Sequence, residues 1–316
     1  MITLPWLYAL GGAMFAAFAL LGARDRSNPK RWGNAAFSGL LALSFFAGNA
    51  LGDLGNGVLV LCLVALAGFG QVGRGIPQTT GLAEREALSA RLGNRLFLPA
   101  LIIPITALFG TIAYTYTPLG QSGLFDPKWV TLILLGIGAL AAVIVTMAWL
   151  RPPALAPLEE GRRLMDSVGW AAVLPQMLAA LGAVFALAGV GDIIGSLAGA
   201  VIPEGNRFVA VAVYALGMAG FTMIMGNAFA AFPVMAAAIG VPLLIRTHHG
   251  DAAVIGAIGM LAGFCGTLMT PMAANFNIVP AALLELKDRN GVIRAQVATA
   301  LPLLACNLLL IYFLAF

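Results

Sequence analysis

The side chains best placed for chemistry lie inside two long uncharged stretches: Asn227 within Phe208–Ile245, and Thr267, Thr270, Asn275 and Asn277 within Ala252–Leu284. They are amides and hydroxyls, which hold a solute or a hard cation through hydrogen bonds and oxygen ligands but are poorly suited to proton transfer or attack on a bond. The first stretch runs 38 residues without a charge. As one helix it would measure about 57 Å, nearly twice the roughly 30 Å of a bilayer's hydrocarbon core. It must therefore fold back. The midpoint falls at Gly226-Asn227, with Pro233 placed to open a second arm, so the spacing predicts a helical hairpin over 208–245 with Asn227 at its tip. The second stretch is also too long for one straight span. Its interruption, Gly266-Thr267 followed by Thr270-Pro271 and then Asn275 and Asn277, has the pattern of a discontinuous membrane helix over 252–284.

Backbone that leaves the helical ladder at membrane depth is tolerated only where protein or a watery cavity satisfies it, so a hairpin tip and a helix break mark a binding site. Helix N-termini aimed at such a break present free N–H groups and partial positive charge to a carboxylate. Neither stretch contains Lys or Arg, which favours a small monoanion over a phosphate. Gly226, Asn227, Thr267, Thr270, Pro271, Asn275 and Asn277 are accordingly the candidate binding residues, with Na+ near Asn227 and Thr270 as a further possibility. Thr222 is read as bonding back to its own helix. Asp192 is read as solvated at the outer end of a span, and His248-His249 as surface residues. The zinc motif H-E-x-x-H, the nucleophile elbow G-x-S-x-G and the phosphate loop are all missing. No enzyme, catalytic residue or resident cofactor is expected, and the coupling ion is left as Na+ or H+.

The elements that must position these residues are helices in a bilayer. Of the 316 residues, 61% are hydrophobic and 9% charged, with a mean hydropathy of +0.96; this excludes an ordinary soluble domain, in which about 25% are charged. The net charge of +4 comes from short clusters between apolar runs, so it speaks of membrane orientation and not of nucleic acid. Spans are read at Met1–Leu21, Ala35–Ala50, Gly57–Gly70, Phe97–Tyr116, Val130–Leu150 and Trp170–Val190. The broken helix and Val297–Phe316 complete about eight crossings plus one re-entrant hairpin. Basic residues concentrate in 22–34, 71–96, 151–167 and around Lys287 to Arg294, which places those connections in the cytoplasm and both termini outside. Glu204 and Arg207 on one side of the hairpin, and Arg246 and Asp251 on the other, carry little basic excess. Leu82–Leu96 has the spacing of an interfacial amphipathic helix. The reading is an all-α polytopic membrane protein, one membrane domain whose residues 1–167 are scaffold-like and 168–316 transport-like.

The segments Met223-Ile-Met-Gly-Asn-Ala-Phe-Ala-Ala-Phe-Pro233 and Gly263-Phe-Cys-Gly-Thr-Leu-Met-Thr-Pro-Met-Ala-Ala-Asn-Phe-Asn277, with the opening Leu4-Pro5-Trp6-Leu7-Tyr8, resemble a bacterial inner-membrane family, domain of unknown function nine-seven-nine. That family is similar to the ion-transporter superfamily of elevator-type secondary carriers. Those carriers hold two inverted repeats, each with a re-entrant hairpin and a broken helix. With a single set, this chain resembles half of such a transporter. The resemblance implies a heteromer with a shorter neighbouring membrane protein and, from accompanying pyroglutamate metabolism, 5-oxoproline as substrate. Related symporters carry Ser-Asn-Thr at the tip, where this chain has Gly226-Asn227-Ala228. The expected function is a subunit of a heteromeric carrier for a small carboxylate. The alternatives are a complete homodimeric carrier and a membrane scaffold for a cytoplasmic peptidase.

Overall fold

The computed structural model describes residues 1–75, 81–203, 205–284 and 286–316. Glu204, one of the charges flanking the hairpin, lies outside the described residues. The structure is 81% helix, with no strand among the described residues, where an isolated bridge joins Ile2 to Phe125. Seven helices among the described residues are long and apolar enough to cross a membrane, which makes this a multi-pass membrane protein. Where the sequence pointed to one domain changing character after residue 167, the helices gather into two compact units, Met1–Gly169 and Trp170–Phe316.

The first unit comprises α1 (Leu4–Arg24), α2 (Arg31–Gly68), α3 (Leu82–Leu92), α4 (Phe97–Tyr116), α5 (Val130–Leu150) and α6 (Ala156–Val168). The spans expected at Ala35–Ala50 and Gly57–Gly70 appear as the arms of α2, which turns at Gly52, where φ is +62°. That is a backbone conformation glycine adopts without a Cβ penalty. Asn56 holds the turn by donating to the carbonyls of Gly48 and Gly52 at 2.7 and 2.8 Å. The arms run antiparallel, because Gly73, just beyond the second arm, is bonded to Asn34 at the start of the first: its N–H donates to Asn34 Oδ1 at 2.9 Å, and its carbonyl accepts from Asn34 Nδ2 at 2.6 Å. Asn28 donates to the same carbonyl at 2.9 Å. Asn34 is buried, so Asn34→Ala leaves the Gly73 N–H without its acceptor and should cost about 1–3 kcal/mol. Thermal unfolding in micelles measures this.

Two readings of this half need correction. Residues 151–167, expected as a loop, contain α6; Pro152 and Pro153 break the periodicity ahead of it, but Pro157 sits in its first turn, where a missing N–H does no harm. The amphipathic segment Leu82–Leu96 is helical only to Leu92 and ends in a 3₁₀ turn over Gly93–Leu96.

The second unit comprises α7 (Leu174–Leu187), α8 (Val190–Val201), α9 (Arg207–Met225), α10 (Ala228–Met235, continued as a π-helix over Ala236–Thr247), α11 (Ala252–Leu268), α12 (Ala274–Leu283) and α13 (Gly291–Leu314). Of the expected span Trp170–Val190, the α-helix covers Leu174–Leu187, after a 3₁₀ turn over Gly169–Val173. Chain direction breaks at Ala188-Gly189, and Gly189 is left-handed at φ +69°. Asp192 stands in the first turn of α8, directly after the end of α7. It is exposed, and nine residues of helix, about 14 Å, separate it from Val201.

The core of this unit is built on small residues that let helices approach closely. A Cβ at Gly266 of α11 would overlap the Ala219 carbonyl of α9, and one at Gly259 would overlap the Tyr214 hydroxyl. Tyr214 is fully buried and donates to the Ile255 carbonyl at 3.3 Å. Cys265 is buried in this core, whereas Cys62 and Cys306 are exposed.

Candidate functional site

The N-termini of α9 and α11 meet the end of α13. Asp251, which caps α11 through bonds to the N–H groups of Ala253 and Val254 at 2.7 and 2.9 Å, donates its own N–H to the Ala315 carbonyl at 2.8 Å. The Arg207 guanidinium lies over the rings of Tyr312 and Phe316, 5.0 and 4.8 Å from their centroids. Helices α9 and α11 have 19 and 17 residues and so reach about 28 and 25 Å from that common level. The hairpin tip and the helix break consequently lie side by side. Ten residues of α12, about 15 Å, still separate the break from the connection to α13.

At the tip, Gly226 ends α9 in the left-handed conformation, φ +75°, and donates its N–H to the Thr222 carbonyl at 2.7 Å. Asn227 then caps α10, its Oδ1 accepting from the Phe229 N–H at 2.8 Å. Gly226 is pressed against the break: a Cβ there would overlap the Met272 carbonyl. Thr270 ties the two together, donating its hydroxyl to the Met223 carbonyl at 2.9 Å and accepting from the Met272 N–H at 3.2 Å.

Asn277 closes the break. Both of its amide hydrogens are committed, to the Thr267 carbonyl at 2.8 Å and the Thr270 carbonyl at 2.7 Å. This fixes the amide's orientation, since a flip would set Oδ1 against two carbonyls. Among the described residues, Oδ1 is left buried without a donor and the Thr222 hydroxyl without a partner; both residues are fully buried. Thr222 does not bond back to its helix as expected. Such orphan groups in a well-packed core mark a place where a ligand atom, an ion or water completes the structure.

The remaining candidates divide. Thr267 spends its hydroxyl on the Phe264 carbonyl at 2.6 Å, so only its carbonyl belongs to the junction. Pro271 is exposed in the break. Asn275 is half-buried in the first turn of α12, with its amide unengaged among the described residues. The helices α10 and α12 both start here, and α12 has no side-chain cap. His249 is exposed and His248 half-buried, edge-on to Phe316 with ring centroids 6.4 Å apart. Among the described residues, no three His, Cys, Asp or Glu side chains gather as a metal would require.

The family model described as "Protein of unknown function (DUF979)" matches residues 5–316. The chain belongs to that family. Among curated proteins and among solved structures, nothing matches it. The junction in this DUF979 chain rests as much on backbone groups, the carbonyls of Met223, Thr267, Thr270 and Met272, as on side chains. Thr222 is the functional candidate that sequence reasoning passed over. Its only signal is its place one turn before the Gly-Asn tip, on the α9 face that meets Gly263.

Proposed function

We propose that this DUF979 chain is one subunit of a heteromeric secondary active transporter for a small carboxylate, with 5-oxoproline as the substrate to try first. The reading includes the elevator motion that the family resemblance implies, the bacterial inner membrane as its location, and a shorter neighbouring membrane protein as the second subunit. Its main support is the interlock of hairpin tip and helix break around two buried, unpartnered oxygens. Asn277 Oδ1 and the Thr222 hydroxyl suit a hard cation such as Na+, together with carbonyls that the break releases from the helical ladder. The starts of α10 and α12, with the free amide of Asn275, suit a single carboxylate, which needs no buried Lys or Arg.

Uptake of labelled 5-oxoproline into proteoliposomes, with and without the neighbouring membrane protein and under separate Na+ and proton gradients, tests the reading. Uptake that requires both proteins supports it. Uptake by this chain alone replaces the heteromer with a homodimeric carrier. Absence of uptake across a carboxylate panel, with a soluble peptidase co-purifying, replaces transport with the scaffold role. Asn227→Ala and Asn275→Ala should each lower uptake about tenfold, the equivalent of one lost hydrogen bond to a charged group, while assembly persists. Unchanged uptake in both variants removes them from the site.

A further inference from the structure

One end of the first unit holds a charge arrangement that the proposed transport site does not use. Arg162 of α6 is 8% exposed. Its Nη1 lies 2.9 Å from Asp25 Oδ2, in the α1–α2 turn, and 3.2 Å from Asp166 Oδ2, one helical turn further along α6. The two carboxylate side chains are each only 12% exposed. Arg162 Nε is buried with no partner among the described residues. Two acids thus share one base where water has little access. With all three ionised the cluster keeps one uncompensated negative charge, and a single proton removes it while leaving the other carboxylate paired.

Neighbouring groups decide which acid takes that proton. Burial pushes the Asp25 carboxyl up, but bonds from the Ser27 hydroxyl and N–H, at 2.6 and 3.0 Å, and from Arg162 outweigh it and hold this group below its ordinary value. For Asp166, burial dominates: with the added repulsion of Asp25 it pushes the carboxyl up to about 6, against the pull of Arg162 and a hydrogen bond from Asn34. Other charges at this end include Arg24, Arg26 and Arg31 around the turn and Glu159 on α6, Arg163, whose Nε lies 2.6 Å from Glu160 Oε2, Lys30, whose chain lies against Gly73, and Arg74, whose Nη2 donates to the Ser167 carbonyl at 3.3 Å. Helix α6 is also seated on α1, where Gly161 faces Phe18, and the chain enters the second unit directly after it.

We propose that Asp25, Arg162 and Asp166 form a one-proton latch: protonation of Asp166 fixes α6, and the connection that leaves from it, to the α1–α2 turn, and ionisation loosens it. A carboxyl raised in the folded protein means that the latched state holds a proton that the released state gives up. Latching therefore weakens as pH rises from about 4 to 6 and is weakest above that window.

The test is amide hydrogen exchange of residues 156–168 in the full-length protein in lipid nanodiscs, normalised to intrinsic rates, between pH 5.0 and 7.5. In the wild type, α6 should exchange on the order of tenfold faster at pH 7.5 than at pH 5.0, with a midpoint near pH 6. Asp166→Asn stays neutral and should be protected equally at both pH values. Asp25→Asn leaves Arg162 a single carboxylate and should also be protected at pH 7.5. Wild-type exchange that does not change with pH overturns the latch, and so does a pH response that persists in Asp166→Asn. If one variant fails to fold, the other carries the comparison.

Discussion

Gly226→Ala is expected to abolish uptake and to lower thermal stability by about 3 kcal/mol or more. Two costs combine at this position. An L-residue held at φ +75° loses roughly 1–2 kcal/mol to its own Cβ. That Cβ also overlaps the Met272 carbonyl, a backbone atom that moves only if the whole break moves with it. The bond from Thr270 to the Met223 carbonyl, at 2.9 Å, then opens, and the groups meant to face a ligand lose their register. Gly220→Ala is the control: it lies in the same helix, with nothing within 4 Å of an added Cβ, and should leave both readouts nearly unchanged. Equal behaviour of the two variants in thermal unfolding and uptake would show that the tip and break are not mechanically joined.

Asn277→Ala should be nearly as damaging. It strips donors from the Thr267 and Thr270 carbonyls together, and each buried unpaired group costs about 1–3 kcal/mol. Thr222→Val separates stability from function. The Thr222 hydroxyl has no partner among the described residues to lose, so an isosteric methyl should leave the unfolding temperature unchanged or raise it. If that oxygen ligates Na+, sodium-driven uptake should nevertheless fall at least about tenfold. A variant with wild-type sodium dependence would take Thr222 out of the ion site. The pair distinguishes an amide that holds the break together from a hydroxyl that waits for a ligand.

The hairpin and the broken helix were legible because length alone forbids the alternative: 38 uncharged residues cannot cross once as a straight helix. Gly226-Asn227, Pro233 and Thr270-Pro271 then marked the break points through backbone preferences that act locally. The contact between tip and break was not legible, because it runs through main-chain carbonyls, which every residue possesses. The helicity of α6 was hidden for a different reason, the prolines that flank and open it. The Arg162–Asp25 pair joins residues 137 apart in the chain. No local pattern signals that distance, and Asp25 reads in isolation as one acid among the basic residues of a connecting loop.

The break between α7 and α8 gives one wall of the second unit a property that oil cannot satisfy. Asp192 is exposed there in an otherwise apolar helix, and on insertion scales an aspartate set in hydrocarbon at a helix centre costs about 2.5–3.5 kcal/mol. Acyl chains alone are therefore a poor neighbour for this wall. Water or a further protein surface has to complete it.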